Sequence, residues 1–505
     1  MPIRRTQAAR RAALASCVAL AALSASAFAK DLPPSPDGAA KLQAFFAAYV
    51  GKLAPVTLSP ADPGYMVAFD LAALTAPFKT AGLSFDPATL KYHVVEQDDG
   101  AWRVEFANFP TMVAHVHMDE HGQPIDGTET FSADGVKGQA LVDPAIGFWR
   151  SVAGEIQDLK VEVKLPGVKE AFQLGGLKID ETSQAGGDGA VAVTMTNTAA
   201  NETFNFDVDP SAIKAAKPGG EESAGDAQPY SVTAKTGQLS ANVKLDGLKT
   251  RPLLDLWAFL VAHPTRPELA ANEAAFKTLL AAALANPVKL DESATFEKTA
   301  AQIPQGAVTI DSGKIGISGA LAPTGAFGEH FEANGLALPA TLIPAPFVGF
   351  APTAFAIGFR ASGFDVASAS TEMVADLHLA GDGPAIAPDD AAKIRAKLIG
   401  PDGIVVDIEP SHIVAPLLDV SFEGHIVYKG GKPTGKVTVH MHNFDKTQAA
   451  LKTLGPEVEK KVAPALAMAK GLAKTDSDGS LVWVGEIGAD GVMKVNGLPL
   501  GKSPI

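Results

Sequence analysis

Hydrophobic and polar residues alternate one for one along most of the chain. YMVAFDL, LKYHVVE, WRVEFANF, MVAHVHM, KVEVKL, VAVTMTN and ETFNFDV all show this period of two between Gly, Asp and Pro turns, the spacing of a strand with one buried face. QDDGA at Gln97 to Ala101 predicts the hairpin turn between two of them. A minority of segments carry a helical period instead. Leu42, Phe45, Phe46, Tyr49, Val50 and Leu53 predict a helix near the start, with Asp37 as its cap and Gly51 near its end. Further helices are expected over DPAIGFWRSVAGEI, with Asp143 at the N-cap and Pro144 at the first helical position. Others fall on RPLLDLWAFLVAH, PELAANEAAFKTLLAAALAN and DDAAKIRAKLI. The segment FDKTQAALKTLGPEVEKKVAPALAMAKGLAK is expected to be helical but interrupted near Gly455 and Pro456 and again at Pro464. The fold class that follows is α+β: large, curved, mostly antiparallel sheet decorated by helices.

A short phrase, Gly followed by Leu, recurs at Gly82, Gly176, Gly247, Gly335 and Gly497. It suits a tight turn or bulge leading into a strand. Its irregular spacing excludes a solenoid of identical repeats but is compatible with an elongated sheet of unequal units. The acidic, Gly-rich stretch PGGEESAGDAQP over 218–229 has no apolar period and reads as a loop or linker. It would divide an N-terminal β-rich subdomain with helices (30–217) from a C-terminal β-rich subdomain with helical insertions (230–505).

The first 29 residues change the picture from fold to compartment. Arg4, Arg5, Arg10 and Arg11 form a basic region, a short Ala- and Ser-rich apolar stretch follows, and Ala27-Phe28-Ala29 fits a signal-peptidase site. The expected outcome is a cleaved signal over 1–29, export to the periplasm by either the general or the twin-arginine route, and no permanent membrane anchor afterwards. Cys17, the single cysteine, lies inside that signal and is followed by more apolar sequence, which disfavours lipidation. The mature chain then has no thiol for a disulfide, a nucleophile or a metal. It carries 38 basic residues against 56 acidic, a net charge of −18, with no basic cluster, and this argues against nucleic acid as a partner.

Several segments invite a chemical reading. Gly430, Gly435 and Lys436 match the start of a phosphate-binding loop, but Val437 stands where Ser or Thr would hold magnesium, and the residues that follow alternate as a strand. His440 and His442 fall on the polar side of that strand, and His425 on the polar side of the one before it. His115, His117, Asp119 and His121 resemble the H-x-H-x-D-H signature of metallo-β-lactamase-fold hydrolases, with Glu120 inserted before the last histidine. They are the candidate metal ligands if the protein is a metal-dependent hydrolase. Asp98, Asp99, Glu221 and Glu222 fall in turns or the acidic stretch, where solvation is the default, and carboxylates distant in sequence leave a paired-acid site open.

The most informative stretch is apolar. Ala333 to Phe359 carries no charge, and its four prolines are incompatible with a continuous spanning helix. Either it is core, bent under the sheet, or Leu342, Phe347, Phe350, Phe355 and Phe359 line a site for an acyl chain or a partner segment.

The terminal sequence DGSLVWVGEIGADGVMKVNGLPLGKSPI, with Gly497, Pro499, Leu500, Gly501 and Pro504, is similar to the C-terminus of a domain-of-unknown-function family of proteobacterial periplasmic proteins. The signal, the Gly-Leu turns and the segment LALPATLIP resemble that family too. The chain is also distantly similar to AsmA-like envelope proteins, a resemblance that implies long curved sheets with an apolar groove for lipid. No catalytic residue carries over. The expectation is a non-catalytic periplasmic envelope protein, binding or scaffolding, with lipid or an envelope protein as partner and no cofactor; the alternatives are the hydrolase and a purely structural role.

Overall fold

The computed structural model describes residues 29–50, 56–76, 79, 82–120, 123–209, 229–321, 323–381 and 383–502. The expected export signal, apart from Ala29, and the acidic stretch 218–229, apart from Pro229, lie outside the described residues. The chain forms two compact units, one up to Ala283 and one from Leu284 onward. Both are built mostly of antiparallel sheet.

The first unit contains strands β1 (Val56–Pro60), β2 (Tyr65–Asp70), β3 (Leu83–Phe85), β4 (Thr89–Glu96), β5 (Trp102–Ala107), β6 (Met112–Glu120), β7 (Gln123–Asp134), β8 (Lys137–Asp143), β9 (Phe148–Leu165), β10 (Val168–Ala185), β11 (Ala190–Val208) and β12 (Tyr230–Lys249). Its helices are α1 (Pro36–Tyr49), α2 (Leu71–Thr75), α3 (Thr250–Ala262), α4 (Arg266–Ala271) and α5 (Glu273–Leu284). Pairing runs β1–β2–β4–β5–β8–β9–β10–β11–β12. The long β9 takes two partners along one edge, β8 and then β7, and β6 and β3 lie outside β7. Because β12 pairs along its length with β11, the acidic stretch sits between two neighbouring strands of one sheet. Along the chain, the two compact units meet at the end of α5, between Ala283 and Leu284.

Burial in this unit is deep. Leu42 of α1 packs with Tyr65, Val67, Val94 and Trp102. A larger core gathers Phe131, Ile156, Leu159, Leu174, Leu177 and Ile179 from β7, β9 and β10. Helix α1 is capped by Ser35, whose Oγ accepts the Gly38 N–H at 3.0 Å, and not by Asp37. Pro36 takes the first helical position, where its missing N–H costs nothing. The helix expected from Asp143 does not form. Asp143 instead accepts the Ala145 N–H at 2.8 Å in a turn, Gly147 has φ 61°, and the chain enters β9 at Phe148. Strand pairing on both edges of β9 buries Val152, Ala153 and Ile156, so tertiary pairing overrides the local helical signal.

The second unit contains β13 (Lys289–Ile303), β14 (Gly306–Ala320), β15 (Thr324–Asn334), β16 (Ala354–Asp365), β17 (Ile404–Ala415), β18 (Leu418–Lys429), β19 (Lys432–His442), β20 (Lys474–Thr475), β21 (Leu481–Ile487), β22 (Val492–Val495) and β23 (Leu498–Lys502). Its helices are α6 (Val366–Ala375), α7 (Pro388–Leu398), α8 (Phe444–Lys452) and α9 (Pro456–Leu472). Strands β13 to β19 pair in sequence order, β21 follows β19, β22 and β23 follow β21, and β20 lies on β21. Gly455 (φ 114°) separates α8 from α9 as expected. Pro464, however, is accommodated inside α9. Both Pro464 and Lys460, whose carbonyl loses its partner, lie on the exposed side, where water can satisfy that carbonyl.

The recurrent Gly-Leu phrase has a backbone cause. Gly82, Gly176, Gly247, Gly335 and Gly497 all have positive φ. At Gly247 the β11–β12 register shifts between the Val193–Leu245 and Val191–Leu248 pairs, a bulge that left-handed glycine permits. At Gly335 a Cβ would fall 2.1 Å from Asp311 Oδ2.

Ile156 is 2% exposed in the larger core. Ile156→Ala is expected to destabilise the first unit by about 2–5 kcal/mol, read as a lower urea midpoint at unchanged m-value; a shift within error of wild type would contradict this placement of the core.

Candidate functional site

Directly opposed residues of antiparallel strands project to the same side, so the register of the second unit can be read as rows. One row runs Glu292, Ile317, Glu329, Phe359, Ile408, Gly424, Val437, Gly485, Val495 across nine strands. Two residues along, Leu290, Gly319, Phe327, Ala361, Val406, Ile426, Gly435, Ile487 and Met493 face the same way. The row between them points to the other side and reads Asp291, Ser318, Gly328, Arg360, Asp407, His425, Lys436, Glu486, Lys494. One face is therefore apolar and the other charged.

The apolar face is only partly covered. Helices α8 and α9 close it at β19 and β21: Trp483, opposite Val439, donates its indole N–H to the Ala469 carbonyl at 2.7 Å and packs beside the buried Phe444. Over β14 to β16 the cross-strand row Ile315–Phe331–Ile357 remains 38%, 40% and 37% exposed. Phe327 is likewise exposed, with its ring 6.2 Å from Phe359. Among the described residues, the clusters of fully buried apolar side chains all lie in the first unit. An apolar sheet face this wide and this accessible is the feature that marks an interaction site.

The residues singled out from the uncharged stretch divide between two places. Phe355 and Phe359 belong to β16 and lie half-buried on the apolar face. Leu342, Phe347 and Phe350 belong to the connection from β15 to β16, which runs past the turns at one end of the sheet. Thr353 N–H donates to the Val414 carbonyl and Leu417 N–H to the Gly349 carbonyl, both at 2.8 Å, and the Thr341 hydroxyl donates to the Gln305 carbonyl. Leu342 and Phe347 are exposed, Phe350 is half-buried, and the connection is thus no buried crossing. Ile315, Phe327, Phe331 and Ile357 were not among the sequence candidates. The signal was the alternation in GKIGISG and TGAFGEHFEA for the first three and in AFAIGF for Ile357, which shows a sided strand but not whether anything covers the side.

The tempting polar segments resolve into sheet surface. GGKPTGK is the two-residue turn of the β18–β19 hairpin, Gly430 and Gly431 at φ 57° and 78°, followed by the first residues of β19. Val437 pairs with Gly424 in a strand, so no helix N-terminus is present to meet a phosphate. His425 Nδ1 lies 2.6 Å from Asp407 on the charged face. Asp99 sits in the β4–β5 turn, its carboxyl held below the ordinary carboxylate range by the Ala101 N–H and by Arg150.

In the first unit, His115 and His117 share one side of β6. His115 Nε2 is 2.9 Å from Asp86 and His117 Nδ1 is 2.7 Å from Asp126. A cleft of about 610 Å³ lies beside them, lined also by Lys79, Ser84, Thr128 and Lys164. Asp119 continues β6 opposite Pro124, while its side chain and all of His121 lie outside the described residues. Among the described residues no three His, Cys, Asp or Glu side chains converge as metal ligands.

One buried group was not foreseen. Glu181 of β10 stands opposite Val152 and Met195, is 7% exposed, and has no hydrogen-bond partner for its Oε1 among the described residues. Ser183 Oγ and Asn197 Oδ1, close to it on the same face, are buried and unpartnered as well. Burial alone pushes the Glu181 carboxyl up from 4.5 to about 6.

No protein-family model, curated protein or solved structure matches the chain.

Because the folded-state value of Glu181 is raised, its favourable contribution is complete below about pH 4.5 and is lost as the pH rises through 6. The loss corresponds to about 2 kcal/mol. Glu181→Gln is expected to remove that part of the pH profile: the stability difference between variant and wild type should shift in the variant's favour from pH 4.5 to pH 8, by urea unfolding. A pH-independent difference would refute the burial of this carboxyl.

Proposed function

We propose that the protein is a non-catalytic α+β component of the periplasmic cell envelope that holds the hydrocarbon part of a lipid against the apolar face of its second unit. The observation that carries this reading is the Ile315–Phe331–Ile357 row, more than a third exposed on a mostly apolar sheet face. Each methylene removed from water contributes about 0.8 kcal/mol, so roughly ten of them gain on the order of 8 kcal/mol before the cost of immobilising the chain. The exposed Leu342 and Phe347 at the end of the sheet extend the apolar surface available to such a chain. Also in favour are the export signal read in the first 29 residues and the similarity of the terminal tail to periplasmic proteins. No helix among the described residues is long and apolar enough to cross a membrane, which says nothing of strands.

A second reading, metal-dependent hydrolysis at His115 and His117, is favoured by one observation. Each ring is oriented by a carboxylate beside an open cleft, an arrangement that leaves one nitrogen of each imidazole available as a ligand. Stoichiometric zinc in protein purified from its own periplasm, lost in His117→Ala, would replace the lipid reading with this one. A purely structural role, without a small ligand, is the third possibility.

Native mass spectrometry of the protein from its own periplasm, followed by solvent extraction, tests the lipid reading. The expected result is a co-purifying lipid in wild type and its loss in Phe331→Asp, which sets a charge in the middle of the exposed row. A lipid-free wild type, or an unchanged lipid load in the variant, would overturn it.

A further inference from the structure

The apolar face carries a chemical preference as well as an apolar surface. In the two nine-strand rows given above and the Ile315–Phe331–Ile357 row the only charged side chains are Glu292 and Glu329. They stand on either side of Ile317, two strand spacings apart, or about 9.5 Å. No Lys, Arg or His shares these rows, and neither carboxylate has an ion pair or hydrogen bond to another side chain among the described residues. Basic residues of the same strands, Lys314, Arg360, His425 and Lys436, project to the opposite side, where Asp407 and Glu486 accompany them.

Resting on the lipid reading above, we propose that the ligand of this face is an amphiphile whose head bears an ammonium group, seated over Ile317 between Glu292 and Glu329. An ammonium presents three N–H donors and no acceptor, so two carboxylates can share it without leaving an oxygen facing an oxygen. Charge-assisted bonds of this kind are about twice as strong as neutral ones. A phosphate or carboxylate head placed there would meet two like charges and no compensating cation. The hydrocarbon chain would run from Ile317 along the neighbouring Ile315–Phe331–Ile357 row, which is the exposed part of the face.

The test compares dodecylamine, dodecanol and dodecanoate, three probes with one chain length, by isothermal titration below their micellar concentrations at pH 7 and 0.15 M salt, where the general acidity of the surface is screened beyond about 8 Å. Wild type is expected to bind the amine at least tenfold more tightly than the carboxylate, with the alcohol between them. The double variant Glu292→Gln/Glu329→Gln should bring amine and carboxylate to within about threefold while binding the alcohol as wild type does, which shows that the face itself is intact. Equal binding of amine and carboxylate by wild type, or an amine preference that survives in the double variant, would overturn the ammonium site and leave the lipid reading standing. Failure of all three probes to bind wild type would overturn both.

Discussion

Cross-strand register is the constraint on which the second unit depends. Nine strands hold one set of rows, and a slip of a single residue anywhere would bring a charged row into an apolar one. Several features pin the alignment. The β18–β19 hairpin turns on two left-handed glycines, and the β15–β16 connection is bonded to the backbone at the β17–β18 turn. Where β16 and β17 do go out of step, the irregularity is absorbed locally. Ser411, 2% exposed, accepts the Gly358 N–H at 3.2 Å and donates to the Glu409 carbonyl at 2.7 Å. The rows on either side of that bulge thus stay in phase.

The two units use the same alternation to different ends. In the first, helix α1 and the strands around β9 close over their apolar side chains, and Val67, Val95, Val152 and Ile156 are almost completely buried. In the second, much of the corresponding surface is left half-open, and its most buried apolar residues are small, such as Ala333 and Ala356, or belong to peripheral segments, such as Leu377, Leu379 and Phe444. A sheet stabilised in this way keeps part of its apolar surface in contact with water. That cost is tolerable when a ligand covers the surface, because binding to the native state then adds to stability.

Polar chemistry is distributed differently. Three of the histidines singled out in the sequence stand beside a carboxylate: His115 by Asp86, His117 by Asp126, His425 by Asp407. These pairs are about half exposed, and pairs of that kind contribute little to stability. Glu181 is the reverse case. Its Oε1 has no hydrogen-bond partner among the described residues, it is almost wholly buried, and its environment favours the neutral acid.

Much of the architecture was legible in the sequence because side-chain alternation is a local property. The strands, the β4–β5 and β18–β19 turns, the helices α3 to α5 and the special role of glycine before leucine could all be read from a few consecutive residues. So could the sidedness of His425, His440 and His442 and the unsuitability of Val437 for a phosphate loop. Other features needed tertiary structure. DPAIGFWRSVAGEI became a strand because β8 and β10 were there to pair with it, and β12 joined the first unit because β11 was its neighbour. The uncharged stretch from Ala333 drew attention by its composition, yet only the register joined Phe355 and Phe359 to Ile315, Phe327 and Phe331 from other strands. Which side of each strand is apolar follows from the covalent geometry of an extended chain. Whether that side is covered, and which distant residues share it, depends on neighbours that the order of residues does not specify.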